Sequence, residues 1–122
     1  MKVFVSQPMT GKTKEEIESV FQAARADIRR RFAASNPPME VEILSTRNYI
    51  LPRFLDNDGH NREMAYMSHA IQVMSMADMV YFCPGASQSR GCTAELDLAK
   101  IYGLMVIGPE VENSAMAGGR AR

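Results

Sequence analysis

In the stretch Ser89-Arg90-Gly91-Cys92-Thr93-Ala94-Glu95, a carboxylate stands where carboxylates are rare. Ser89 is a good helix N-cap, and the spacing predicts a helix from there to about Tyr102, with Gly103 as its C′ residue. On that helix Glu95 shares a side with Cys92, Leu96 and Ala99, the apolar stripe, and not with outward-looking Asp97 and Lys100. A carboxylate beside a buried stripe is either paired with a neighbour or functional. The chemistry open to it is attack on an anomeric carbon, with the sugar carried as a covalent intermediate. The same helix start is an anion site: Ser89, Gly91 and Cys92 present free backbone N–H groups at the positive dipole end, and Gly91 permits close approach. A phosphate held there would leave its sugar close to Glu95.

Other nucleophiles fit less well. Cys92 sits near a helix start that would lower a thiol pKa, but its inward position favours a packed thiol. Ser87 and Ser89 lack the G-x-S-x-G elbow of serine hydrolases. Thr10-Gly11-Lys12-Thr13 resembles the end of a P-loop, yet Ser6 stands where the upstream glycine belongs. Cys83, Cys92, His60 and His69 match no familiar metal spacing, and the two cysteines are expected as reduced thiols. No metal and no cofactor is expected.

The elements that must position these residues alternate. Lys2 to Val5 reads as a strand, followed by the loop Ser6-Gln7-Pro8-Met9-Thr10-Gly11-Lys12. Thr13-Lys14-Glu15-Glu16 is a capping box that opens a helix carrying Ile17, Val20, Phe21, Ala24, Ile28 and Phe32 on one stripe, ended by Asn36-Pro37-Pro38. Met39, Val41 and Ile43 alternate with glutamates as an edge strand would. Ser45 to Arg62 is a long polar connection of the kind that serves a site or moves. A helix is expected over Arg62–Met76, a third strand over Met79–Cys83, the Glu95 helix, and a fourth strand over Leu104–Ile107. This β-α-β-α-β-α-β order predicts one flavodoxin-like, three-layer α/β domain over 1–122, with a parallel sheet in order 2-1-3-4 and room for an extra edge strand. Its switch point lies between the first and third strands, so a ligand is expected between Ser6-Gln7-Pro8-Met9 and the loop Pro84 to Ser89, which includes Ser87.

Bulk properties narrow the function. The 122 residues suit one core, and 14 basic against 14 acidic residues argue against a nucleic-acid partner. No apolar run of spanning length and no leader-like segment is seen, so a cytoplasmic protein without membrane contact is expected. Met64, Met67, Ile71 and Met74 recur at helical spacing and suit a core or a subunit interface, hence a homodimer or higher homo-oligomer.

Three blocks carry a family resemblance: Val3-Phe4-Val5-Ser6-Gln7-Pro8-Met9-Thr10-Gly11, Ala77-Asp78-Met79-Val80-Tyr81-Phe82, and Ser89 to Glu95 with Ala99 and Gly103. They resemble the nucleoside 2-deoxyribosyltransferase superfamily, in particular a small branch of phages and their bacterial hosts related to the 2′-deoxynucleoside 5′-monophosphate N-glycosidases. The resemblance implies Glu95 as nucleophile, Ser89 as a phosphate contact, and Gln7, Pro8, Met9 and Gly11 as lining of the sugar-phosphate pocket. It also likens Ser114-Ala115-Met116 in the polar tail, 109–122, to a segment that reaches a neighbouring subunit's phosphate. One position departs: Ala70 stands where the active enzymes carry an Asp that assists proton transfer to the base. The adjacent His69 could replace that acid, or be an ordinary helix-surface histidine. Two functions follow as expectations. One is an N-glycosidase or deoxyribosyltransferase acting on a nucleotide or nucleoside; the other is a non-catalytic nucleotide-binding module, of a sequestering or sensing kind, that keeps the anion site and has lost the chemistry. A flavin carrier fits poorly, because the first loop lacks a Ser/Thr-rich phosphate cradle.

Overall fold

The computed structural model describes residues 1–56 and 61–112. Four strands, β1 (Lys2–Ser6), β2 (Glu42–Leu44), β3 (Met79–Phe82) and β4 (Met105–Ile107), form a wholly parallel sheet in the order β2-β1-β3-β4. Helices α1 (Lys14–Ala33), α2 (Arg62–Met74) and α3 (Arg90–Ile101) make the crossovers, and a one-turn α4 (Pro109–Glu112) follows β4. The flavodoxin-like α/β architecture and the strand order match the sequence expectation. No fifth strand occurs among the described residues.

Strand alternation sorts the core into two layers. Val3 and Val5 of β1, with Met79 and Tyr81 of β3 and the adjoining Cys83, pack beneath Phe21, Ala24 and Ile28 of α1. Phe4, Val80 and Phe82 point the other way, toward Ala70 and Met74 of α2 and Cys92, Leu96 and Ala99 of α3. Ser6, two residues past Phe4, is therefore on the α3 side. That parity is what lets a strand-end hydroxyl meet a helix carboxylate.

The helix starts follow their caps. Thr13 and Glu16 form the expected capping box, Asn61 caps α2 through the Met64 amide, and Ser89 caps α3 through the Cys92 amide. Several ends differ from expectation: the first strand runs one residue further, to Ser6, and the fourth starts one residue later, at Met105. The second strand is Glu42–Leu44 rather than Met39 to Ile43, because the Met39 amide donates to the Phe32 carbonyl at the end of α1 and cannot join the sheet. The second helix stops at Met74, with Ser75 as C-cap. The third strand stops at Phe82, after which the chain turns at Pro84-Gly85. Asp78 accepts from the Lys2 amide at 2.8 Å while its own amide donates to the Lys2 carbonyl. It is a clamp at the strands' amino ends, remote from any switch-point ligand.

The turn into α4 was not anticipated from the sequence. Gly108 has φ +111°, and a Cβ there would lie 2.5 Å from the Phe82 carbonyl oxygen and 2.8 Å from the Phe82 nitrogen. Val111 then joins the α3-side core. Glu112 takes two hydrogen bonds from the Arg31 guanidinium, at 2.6 and 2.8 Å. Arg31 also reaches Asp27, which accepts from the Tyr81 hydroxyl at 2.5 Å. Arg31 and Tyr81 bonding hold Asp27 below its usual carboxylate range against the opposing effect of burial. No described helix is long and apolar enough to cross a membrane.

Candidate functional site

At the carboxyl ends of β1 and β3 the chain leaves a cavity of about 580 Å³. One wall is the start of α3, with Ser89, Gly91, Cys92 and Glu95; another is the first loop, with Gln7 and Met9; the loop after β2 and the face of α2 complete it. This is where an open parallel sheet leaves a crevice, since the crossovers from β1 and β3 depart to opposite faces.

Glu95 is 7% exposed and Ser6 1%. Ser6 Oγ donates to Glu95 Oε1 at 2.5 Å. Burial pushes the Glu95 carboxyl up to about 7, and the Ser6 hydrogen bond only partly opposes this. The group is thus held in one place and poised to change charge near neutrality. Ser6 follows from strand parity and Glu95 from helix parity, so the contact is a product of the fold rather than of either segment alone.

Gln7 is 6% exposed. Its Nε2 donates to the Ile17 carbonyl at 3.0 Å, which fixes the amide, and Oε1 is left buried without a partner. Buried acceptors are seldom left so. At α3 the Ser89 hydroxyl accepts from the Cys92 amide at 3.2 Å, leaving the preceding amides of the first turn without intrahelical partners. Burial raises the Cys92 thiol pKa, opposed by hydrogen bonding from Ser6 and Ser89. Cys92 is therefore a neutral wall residue and not a thiolate nucleophile. Arg90 crosses from α3 to Glu63 of α2, Nη2 to Oε2 2.6 Å, with both side chains largely in solvent. Such a pair contributes little and opens easily.

The other residues singled out from the sequence divide. Pro8 borders a second cavity on the far side of the α3 start. Gly11 is exposed, with φ +78°, and lines neither cavity. Ser87 is engaged through its amide, which donates to Glu110 of α4 at 3.0 Å. His69 stacks on Tyr49, ring centroids 3.6 Å apart and 9° from parallel, and is not brought to the cavity wall, whereas Ala70 is. Ser114 and His60 lie outside the described residues.

On one side of the site sequence reasoning marked the long connection after the second strand but named none of its residues as lining. Thr46, Arg47 and Tyr49 come from the connection after β2, and Asn61, Tyr66 and Met67 from the start of α2. Arg47 is anchored by Glu18 at 3.0 Å and lies over the Phe21 ring, 3.5 Å from its centroid. Tyr66 meets Tyr49 edge-on at 5.9 Å. The available signal was the order 2-1-3-4 itself, which puts the loop after the second strand on the same rim. Among the described residues no cluster of His, Cys, Asp or Glu could hold a metal ion.

The parallel α/β domain, with its buried, hydroxyl-tethered carboxylate beside a helix amino end at the switch point, is of the flavodoxin-like class. The chain belongs to the DUF4406 family, described as a domain of unknown function, which matches residues 1–108. No curated protein and no solved structure matches it.

Proposed function

We propose that the protein is an N-glycosidase or deoxyribosyltransferase-type enzyme for a nucleotide or nucleoside, with Glu95 as nucleophile. The observation that carries this reading is Glu95 itself: buried, fixed by Ser6, on the wall of a cavity whose rim is the amino end of α3. In this reading Glu95 Oε attacks the anomeric carbon from below. The carbon–nitrogen bond breaks, the base leaves with the electron pair, and it takes a proton from water. A water or a second base then attacks the same carbon and releases Glu95. The 5′-phosphate sits on the first turn of α3, and the base lies toward Tyr49, Tyr66 and Met67. Ser6 is a positioning residue.

Ala70 on the cavity wall, where a carboxylate would assist departure of the base, favours slow turnover, or a module that binds without reacting. Incubation with a panel of nucleosides and their 5′-monophosphates, followed by detection of free base, decides between them. Release of base from at least one member is the expected result. Tight binding with no release selects the non-catalytic module, and neither binding nor release removes both readings.

Two further outcomes are expected. Ser89→Ala should weaken a 5′-monophosphate by about 1 kcal/mol more than the matching nucleoside, since it removes the cap that shapes the anion site. Equal losses in calorimetry would count against a phosphate there. The protein should also be a homo-oligomer joined through α2 or α3, because Met64 and Ile71 lie on α2 one heptad apart and both are exposed. Light scattering giving a monomer at micromolar concentration would refute this.

A further inference from the structure

We propose that the ligand continues past its 5′-phosphate, and that a second, hydroxyl-bearing group linked through a diphosphate lies in the neighbouring cavity. This rests on the nucleotide reading above and deepens it.

The second cavity, about 890 Å³, shares Thr10, Glu63, Ser89, Arg90 and Gly91 with the Glu95 cavity. The two are neighbours across the first turn of α3 and the Arg90–Glu63 pair. Each lies within the roughly 300–1,000 Å³ usual for one drug-sized ligand, so a mononucleotide fills one and leaves the other. A phosphate on the α3 amides faces both.

The lining of the second cavity says what would follow that phosphate. Lys12, just before the amino end of α1, lines the cavity and supplies a cation. Glu15, in the first turn of α1, and Ser19 follow at i and i+4 on one face. Glu16, which also borders the cavity, is committed to its capping bond with the Thr13 amide at 2.8 Å. A cation followed by a carboxylate and a hydroxyl suits a second phosphate followed by sugar hydroxyls: Lys12 neutralises the phosphate, and Glu15 accepts from the hydroxyls. The Arg90–Glu63 pair, largely solvent-exposed, opens at small cost, freeing Arg90 for the diphosphate. The unpartnered Gln7 Oε1 lies on the other side of the junction, so the nucleoside end belongs in the Glu95 cavity.

The test compares matched pairs: each common 5′-monophosphate beside its 5′,5′-dinucleotide and its diphosphate sugar, for example AMP beside ADP-ribose and UMP beside UDP-glucose. Affinities are measured by calorimetry on the full chain, and on Glu95→Gln so that turnover does not consume the ligand. At least one extended ligand should bind about tenfold tighter than its monophosphate, the gain of a few charge-assisted hydrogen bonds. Ser19→Trp, at an exposed helix position, should fill the second cavity, abolish that gain and leave the monophosphate within about twofold. Monophosphates that bind while no extended ligand binds tighter would overturn this proposal and leave the nucleotide reading standing. Equal losses of both ligands in Ser19→Trp would also overturn it. Absence of binding by every member would sink both.

Discussion

Under the proposed glycosidase mechanism, Glu95→Gln should reduce base release by at least about a thousandfold while leaving ligand affinity within a modest factor, because it keeps the shape and the Ser6 contact and removes the charge of the proposed nucleophile. The parent should gain activity with pH, since attack needs the ionised carboxylate: kcat/KM climbs through about 7, where burial has placed the group, and levels above it. A rate that Glu95→Gln leaves unchanged would end the glycosidase mechanism. Stability carries an independent readout that needs no substrate. The folded-state value, about 7, lies above the ordinary 4.5, so the neutral acid is the form the fold prefers. That contribution is complete below about pH 4.5 and is lost as pH rises through about 7; by about pH 8 the loss is as much as about 3 kcal/mol. Denaturant unfolding of parent and variant at about pH 5 and pH 8 should show the difference swinging toward the variant at the higher pH. All other carboxylates cancel in that comparison. A difference independent of pH would mean that Glu95 is not confined as described.

Gly108→Ala should destabilise the fold by about 3–5 kcal/mol, lowering Tm by on the order of 10–20 °C. Two costs add. The residue has φ +111°, which an L side chain rarely adopts, and its Cβ would strike the Phe82 backbone, not a side-chain tip that could move aside. Phe82 is fully buried at the end of β3, so neither partner can yield without disturbing the pairing of Tyr81 with Ile107. Gly103→Ala is the control. Its φ of +78° is also left-handed, but a Cβ there meets nothing within 4 Å. It should cost only the backbone strain, about 1–2 kcal/mol. Similar thermal shifts for the two variants would show that the clash at Phe82 is not the cause.

The contrast between these residues marks what the amino-acid pattern could reveal. Glu95 was legible because helix periodicity alone puts it beside Cys92, Leu96 and Ala99, all of which are buried. The strand order was legible because three helical crossovers leave a parallel sheet few ways to form. The Ser6–Glu95 bond required both parities at once, across 89 positions of chain, and no local pattern signals it. Gly108, just before the polar tail, gives no local sign of its constraint, which comes from the Phe82 backbone. Arg47 and Tyr49 were hidden in a connection of ordinary polar composition, where only the adjacency of β2 to β1 turns a loop into a wall. His69 had the right chemistry for a proton donor, but stacking on Tyr49 takes it away from the cavity wall.

The aromatic corner at Tyr49 and Tyr66 also makes the protein its own optical probe. The chain has no Trp and only four Tyr, so its near-ultraviolet emission is tyrosine emission alone. Two of those fluorophores line the Glu95 cavity. A third, Tyr81, donates its hydroxyl to the Asp27 carboxylate, a contact that quenches phenol emission. The readable signal therefore comes mainly from Tyr102 and the cavity pair, and a base stacked there, as proposed, would quench the latter. Titration followed at a single wavelength would then score occupancy of the cavity without a label, a coupled assay or knowledge of the reaction.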